Sequence, residues 1–167
     1  MTGTGSTEVE IARTTLDRAL AEWRRAGDGL RIALESAVTA GASLAGVDLN
    51  GAVLPGACLV GAQLAGAVLD GAFLQGADLH GADLRGTQLH ATFLWGADLR
   101  DADLTGAVLH GANLHAVDAT GACLRDADLT EVMAFKANFA GADLRGARHD
   151  SLTHWPEGFV APTQENP

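Results

Sequence analysis

Tyrosine is absent from this 167-residue sequence, and aromatic residues make up only 5 % of it. A globular core of ordinary kind carries more ring bulk, so the core here must be assembled from small units. Charged residues are also few, at 19 %, and they lean to one sign, with a formal net charge of −10. That sign argues against direct binding to nucleic acid, which needs basic patches against phosphate. It suits a protein that stays in solution or docks on a basic surface. Only two cysteines occur, which fits a reducing compartment. No charged segment followed by an apolar run opens the chain, so the expectation is a cytoplasmic protein without a secretory leader. Residues 51–69, GAVLPGACLVGAQLAGAVL, hold no charge and match a membrane span in length. Their glycines recur every five positions, however, and the same phase runs on through charged blocks at both ends. No membrane contact is expected.

What is there divides into three regions: 1–40, 41–150 and 151–167. The first reads as a helical cap. Thr7 followed by Glu10 has the spacing of a capping box, with Glu8 favourable in a first turn. Val9, Ala12, Leu16, Ala19, Leu20 and Trp23 then follow at spacings that make one apolar stripe. Gly27-Asp28-Gly29 should end or kink the helix. Leu30, Ile32 and Leu34 alternate like a strand, while Leu30, Leu34 and Ala37 also fit a second short helix.

Residues 41–150 repeat every five. GASLA, GVDLN, GAVLP and GACLV run without a gap into GAFLQ, GADLH and GADLR, and 22 blocks share the frame. The block centre is leucine from Leu44 to Leu114, and two residues earlier stands Ala, Val or Thr. In an extended chain, residues two apart point the same way, so Ala42 and Leu44 face in and Ser43 faces out. The next two residues must turn the chain, and glycine in the second of them supplies the freedom for it. A helix would smear the leucines around its axis, since five residues do not make whole turns.

A longer period lies over the shorter one. Val53, Phe73, Phe93 and Met133 are spaced by 20 or 40, and Asp78, Asp98 and Asp118 by 20. Four blocks therefore make one coil, and the expected fold is an all-β solenoid of about 5.5 coils, roughly 26 Å long at ~4.8 Å per coil. Ala119 and Ala134 replace central leucines, and Phe139 is the one aromatic centre, so its ring is expected to fill the space they leave.

The blocks ADLHG, ADLRG and ANLHA resemble the pentapeptide repeat family, over about two thirds of the chain. The resemblance implies a right-handed quadrilateral β-helix with short strands or bridges and tight corners. The ending THWPEGF, residues 153–159, is similar to a Trp-Pro-x-Gly-Phe tail that follows the repeats in some bacterial members; here Val160-Ala161-Pro162 follows where those tails continue with Asp-Pro. Trp155 and Phe159 should cap the far end of the coil.

One wall of such a coil is apolar and aromatic: Phe73, Phe93, Trp95, Met133 and Phe135, with His115 among them. A contiguous apolar patch of that kind marks a contact surface. It is a homodimer interface, a face covered by the chain's own termini, or a site for another partner or ligand. The next wall stacks Asp78, Asp98 and Asp118, which are either phosphate mimics or ordinary repeat positions whose carboxylates hold nearby N–H groups. His90 and His110 stack in a further column with Asp70 and Thr130, but a flat wall gives neither the four ligands of a zinc site nor a pocket. Cys58 and Cys123 lie on different walls, too far apart for a disulfide. No metal, cofactor or catalytic residue is expected.

The expected function is that of a non-enzymatic acidic interaction protein. The family resemblance implies a specific form of it: some members protect a type II topoisomerase from quinolones or a producer's toxin as acidic rods that mimic DNA. The alternative is an enzyme or small-molecule binder that uses the aromatic wall as a hydrophobic platform.

Overall fold

The computed structural model describes residues 4–26 and 29–163. Helix α1 spans Thr4–Ala26 and helix α2 spans Leu30–Thr39. α1 buries Ala12, Leu16 and Leu20 and half-buries Val9 and Ala19, the stripe its spacing implied. It begins before the capping box: Thr7 lies a turn inside it. The stripe packs against α2, and such packing sustains a helix more than local propensity does. Gly27, Asp28 and the Trp23 side chain lie outside the described residues. In α2 the helical pattern prevails over the alternating one. Leu30, Ala33, Leu34 and Ala37 are buried together, while Ile32 is 65 % exposed.

From Gly41 onward the chain turns every five residues. Ala42 and Leu44 are buried and Ser43 is exposed, and this alternation repeats block after block. Isolated parallel bridges join residue i to residue i+20 in four columns. One column runs Val53, Phe73, Phe93, Asn113, Met133. The others pass through Asp48, Cys58 and Gln63. Each bridge is one short set of bonds: Leu54 N–H donates to Phe73 O at 2.8 Å, and Phe73 N–H to Ala52 O at 2.8 Å. Four blocks therefore close one coil, and stacked leucines and alanines fill its inside. Thr87 and Thr92 are the polar residues at inward places; each hydroxyl donates to a backbone carbonyl, Leu84 O and Leu69 O.

The corners need a left-handed residue. Gly51 has φ +66°, and the same place in six blocks holds Ala91, Asp101, Ala116, Asp126, Glu131 or Lys136, all with positive φ. At Gly121 there is a second demand. An added Cβ would run into the Asp101 carboxylate, which leans over it from the coil before.

The two ends are finished differently. At the start, α2 lends a carboxylate: Glu35 Oε1 accepts the Cys58 N–H at 3.0 Å, and Arg31 holds Glu35 from one turn away at 3.0 Å. Arg13 of α1 donates to Ser43 O at 2.6 Å. At the far end the coil runs past residue 150. Met133 bridges His154, a step of 21 instead of 20, because the chain takes one extra residue to turn after His149. Beyond it Trp155 and Phe159 stack on each other at 5.0 Å and both meet the Phe139 ring, at 5.8 and 5.4 Å. Phe139 was expected to fill space beside Ala119 and Ala134. All three are buried, and the Phe139 ring also meets the tail aromatics.

Candidate functional site

The bridge columns decide which outward side chains become neighbours. Phe73 and Phe93 are bridge partners, and their rings stack with centroids 4.8 Å apart and planes 7° from parallel. Trp95 stands two residues further along the same wall, 55 % exposed, and Phe135 and Met133 are 45 % and 40 % exposed. Phe135 meets His154 at 4.9 Å, so the extra turn of coil extends this wall. His115 and Asn113 interrupt the apolar strip; both are half-buried, and the His115 N–H donates to Asn113 Oδ1 at 3.0 Å. None of the described residues of α1, α2 or the tail covers the rings fully, since Phe73 and Phe93 remain 39 % exposed. The structure thus brings all six expected residues onto one wall.

The acidic column also forms, with Asp78 bridging Asp98 and Asp98 bridging Asp118. Each carboxylate accepts the N–H two residues on: His80, Arg100 and Thr120 donate at 3.1, 3.0 and 3.0 Å. Asp98 is also gripped by the Arg100 guanidinium, through Nε at 2.9 Å and Nη2 at 2.5 Å. That hydrogen bonding holds its carboxyl below the usual carboxylate range. The same arrangement recurs at Asp83 with Arg85 and at Asp143 with Arg145. Asp78 and Asp118 carry no ion pair among the described residues. The pairing follows from period two: Asp and Arg two apart point out on the same side. That signal was present in every ADLR block.

The histidine column is a line of pairwise contacts rather than a cluster. His90 N–H donates to Asp70 Oδ1 at 2.9 Å, His110 Nδ1 meets Thr130 Oγ1 at 2.9 Å, and the two imidazoles sit edge to face at 5.8 Å. Among the described residues, no group of three or more His, Cys, Asp or Glu is placed to hold a metal ion. Both cysteines are free thiols. Cys123 lies 3.1 Å from the Thr105 hydroxyl; that hydrogen bond, with Arg125 beside it, draws the thiol below its ordinary value. Among the described residues, no helix is long and apolar enough to cross a membrane.

Comparison with known proteins identifies relatives of this architecture. The profile described as Pentapeptide repeats matches in eight copies, over segments 34–69, 57–96, 82–118, 96–131 and 112–148. Among solved structures, a pentapeptide repeat protein from the Arabidopsis thaliana thylakoid lumen is 31 % identical, with 63 % of each chain covered and a TM-score of 0.37. The chain thus spans under two thirds of that relative's length. A pentapeptide repeat protein from Nostoc PCC 7120 is 33 % identical over 77 % of this chain and 87 % of its own, at a TM-score of 0.34. QnrB1, a plasmid-mediated fluoroquinolone resistance protein, is 17 % identical over 64 % of this chain and 81 % of its own, at a TM-score of 0.19. No curated protein sequence matches.

Proposed function

The chain belongs to the pentapeptide repeat family, whose fold is a right-handed quadrilateral β-helix, and from that premise we propose that it is a non-catalytic interaction rod that pairs with a second copy through its aromatic wall. The observation that carries this reading is the stacked Phe73–Phe93 pair and the neighbouring Trp95, left exposed by every described part of the chain. About half of each side chain is exposed, and with Phe135 and Met133 they make a patch on the order of a few hundred Å², the scale at which an exposed patch marks a contact surface. The wall is built on flat bridges, so two copies meet about a two-fold axis without remodelling, the usual geometry of homodimers. Central aromatics are the usual anchors of such contacts. The location proposed with it is cytoplasmic, supported by the two free thiols.

The experiment replaces Phe93 by Asp and Trp95 by Arg, the residues found in the following block. Both point outward, so the coil keeps its circular dichroism and melting. Sedimentation equilibrium should show a dimer for the natural chain and a monomer for the variant. A monomeric natural chain overturns the reading.

The acidic wall supports a more specific partner, a type II topoisomerase engaged by DNA mimicry. What favours it is the net charge of −10 and the outward column of Asp78, Asp98 and Asp118. Asp78→Asn and Asp118→Asn keep the oxygen that accepts the backbone N–H and remove only charge. If the reading holds, the natural chain relieves quinolone inhibition of DNA gyrase supercoiling and the double variant does not.

A further inference from the structure

Among the described residues the coil ends in an open backbone edge. Between the two coils below it, three bonds join the face that carries Cys123 and Asp143. Leu124 N–H donates to Asp143 O at 2.7 Å, Asp126 N–H to Arg145 O at 3.0 Å, and Asp143 N–H to Ala122 O at 2.9 Å. One step further on, the equivalent groups are the N–H of Leu144, the N–H of Gly146 and the C=O of Ala142. Among the described residues, none of the three has a partner. They border a groove of about 950 Å³. Phe139, Ala142 and Leu144 line it on the coil side, and Phe159, Val160 and Pro162 of the tail line the other. His149 Nε2 lies 3.0 Å from Pro162 O and ties that second side down.

We propose that this edge binds one extended peptide segment of a partner protein, added in the parallel register of the coil itself. A row of unpaired N–H and C=O groups is a template for another chain, and strand addition to an open edge is a recurring mode of peptide recognition. The tail makes the site a channel with two sides, which admits a strand and obstructs the blunt end of a second rod. The register sets what the strand must carry. The residue over Leu144 points in, toward Phe139 and the core end, and is aliphatic. The residue over Arg145 points out and is acidic, because Arg145 and Arg125 share the single carboxylate of Asp143, at 2.6 and 3.0 Å. Arg148 also lines the groove, with its guanidinium held by Asp128 at 2.8 Å. The site shares no residue with the aromatic wall, so it stands or falls separately from the pairing proposed above.

The test uses the full chain and a fluorescein-labelled peptide, Ala-Thr-Leu-Glu-Gly, whose leucine and glutamate take the two places just described. Anisotropy should show saturable, submillimolar binding, and the Leu144 and Gly146 amides should be the ones that shift and gain exchange protection in NMR spectra. Methylating the peptide's threonine nitrogen removes the donor to Ala142 O without touching the protein. It should weaken binding by about tenfold, the effect of roughly one hydrogen bond. Changing the peptide's Glu to Lys, or making Arg145→Glu, should do the same. The proposal is overturned by no saturable binding, or by undiminished binding of the methylated peptide. It is also overturned by binding only after residues 164–167 are removed, which would assign the edge to the chain's own end. Self-association abolished by Arg145→Glu would assign it to a second copy and overturn it too.

Discussion

At the corner of each block one residue must hold a positive φ, and this sets the repeat's tolerance. Lys136 has φ +60° and Glu131 +58°, where an L side chain is strained by roughly 1–2 kcal/mol. Replacing Lys136 by glycine relieves that strain but frees the unfolded chain, which takes back part of the gain. The net expectation is a stabilisation of about 0.5–1 kcal/mol, read from the midpoint of urea unfolding. Gly121 behaves oppositely. Gly121→Ala meets both a φ of +72° and the Asp101 carboxylate, whereas Gly111→Ala, with φ +67°, meets open space. Gly121→Ala should therefore cost more than Gly111→Ala, and Asp101→Gly in the same chain should remove the difference. A second residue-level effect comes from the Asp–Arg pairs. Arg145 hydrogen-bonds Asp143 and lowers its pKa from 3.8 to about 2, and Asp83 and Asp98 shift the same way beside Arg85 and Arg100. The folded values lie below the unfolded ones, so this stability is present above the unfolded value and is lost as pH falls through the folded one. The melting temperature should hold from pH 8 to about 5 and drop between about 4 and 2. Because the pairs are exposed, each contributes little and added salt should shrink the drop.

At the scale of elements, the coil depends on its two ends. A stacked coil exposes leucines and unpaired backbone wherever it stops. At the start, Glu35 of α2 fills the place of a missing carbonyl for Cys58 N–H. At the far end, Phe139 is 6 % exposed beneath Trp155 and Phe159. Phe139→Ala removes a buried ring and the support for both tail aromatics. The expected loss is ~3–5 kcal/mol, and a loss below about 1 kcal/mol in reversible denaturation would contradict this packing. Truncation sharpens the same point. His154 still bridges Met133, so the coil extends to that residue. Deleting residues 155–167 should leave the bridges intact but uncover Phe139 and Leu144. The shortened chain should aggregate, as light scattering would show. A soluble, monodisperse product would mean that the tail is not a cap.

At the scale of the whole molecule, the sequence alone carried the architecture because the repeat encodes it twice. The five-residue period sets which side chains are buried, and the 20-residue recurrence of Phe73 and Phe93, or of Asp78, Asp98 and Asp118, sets how many blocks close a coil. Both are properties of residue order, so membership of the aromatic wall and of the acidic column could be read before any coordinate. Tertiary structure decided what happens where the period fails. The helical state of residues 30–39 was open in the sequence, because Leu30, Ile32 and Leu34 fit two periods; burial of Leu34 and Ala37 against the coil chose between them. The extra residue before His154 and the turn of Phe139 toward Trp155 follow from contacts across the coil end, which no local pattern records. The open edge at Ala142, Leu144 and Gly146 is likewise invisible in the sequence, where these residues look like any other block. Whether a backbone group is paired depends on the coil above it, and only the folded chain shows that, among the described residues, none lies there.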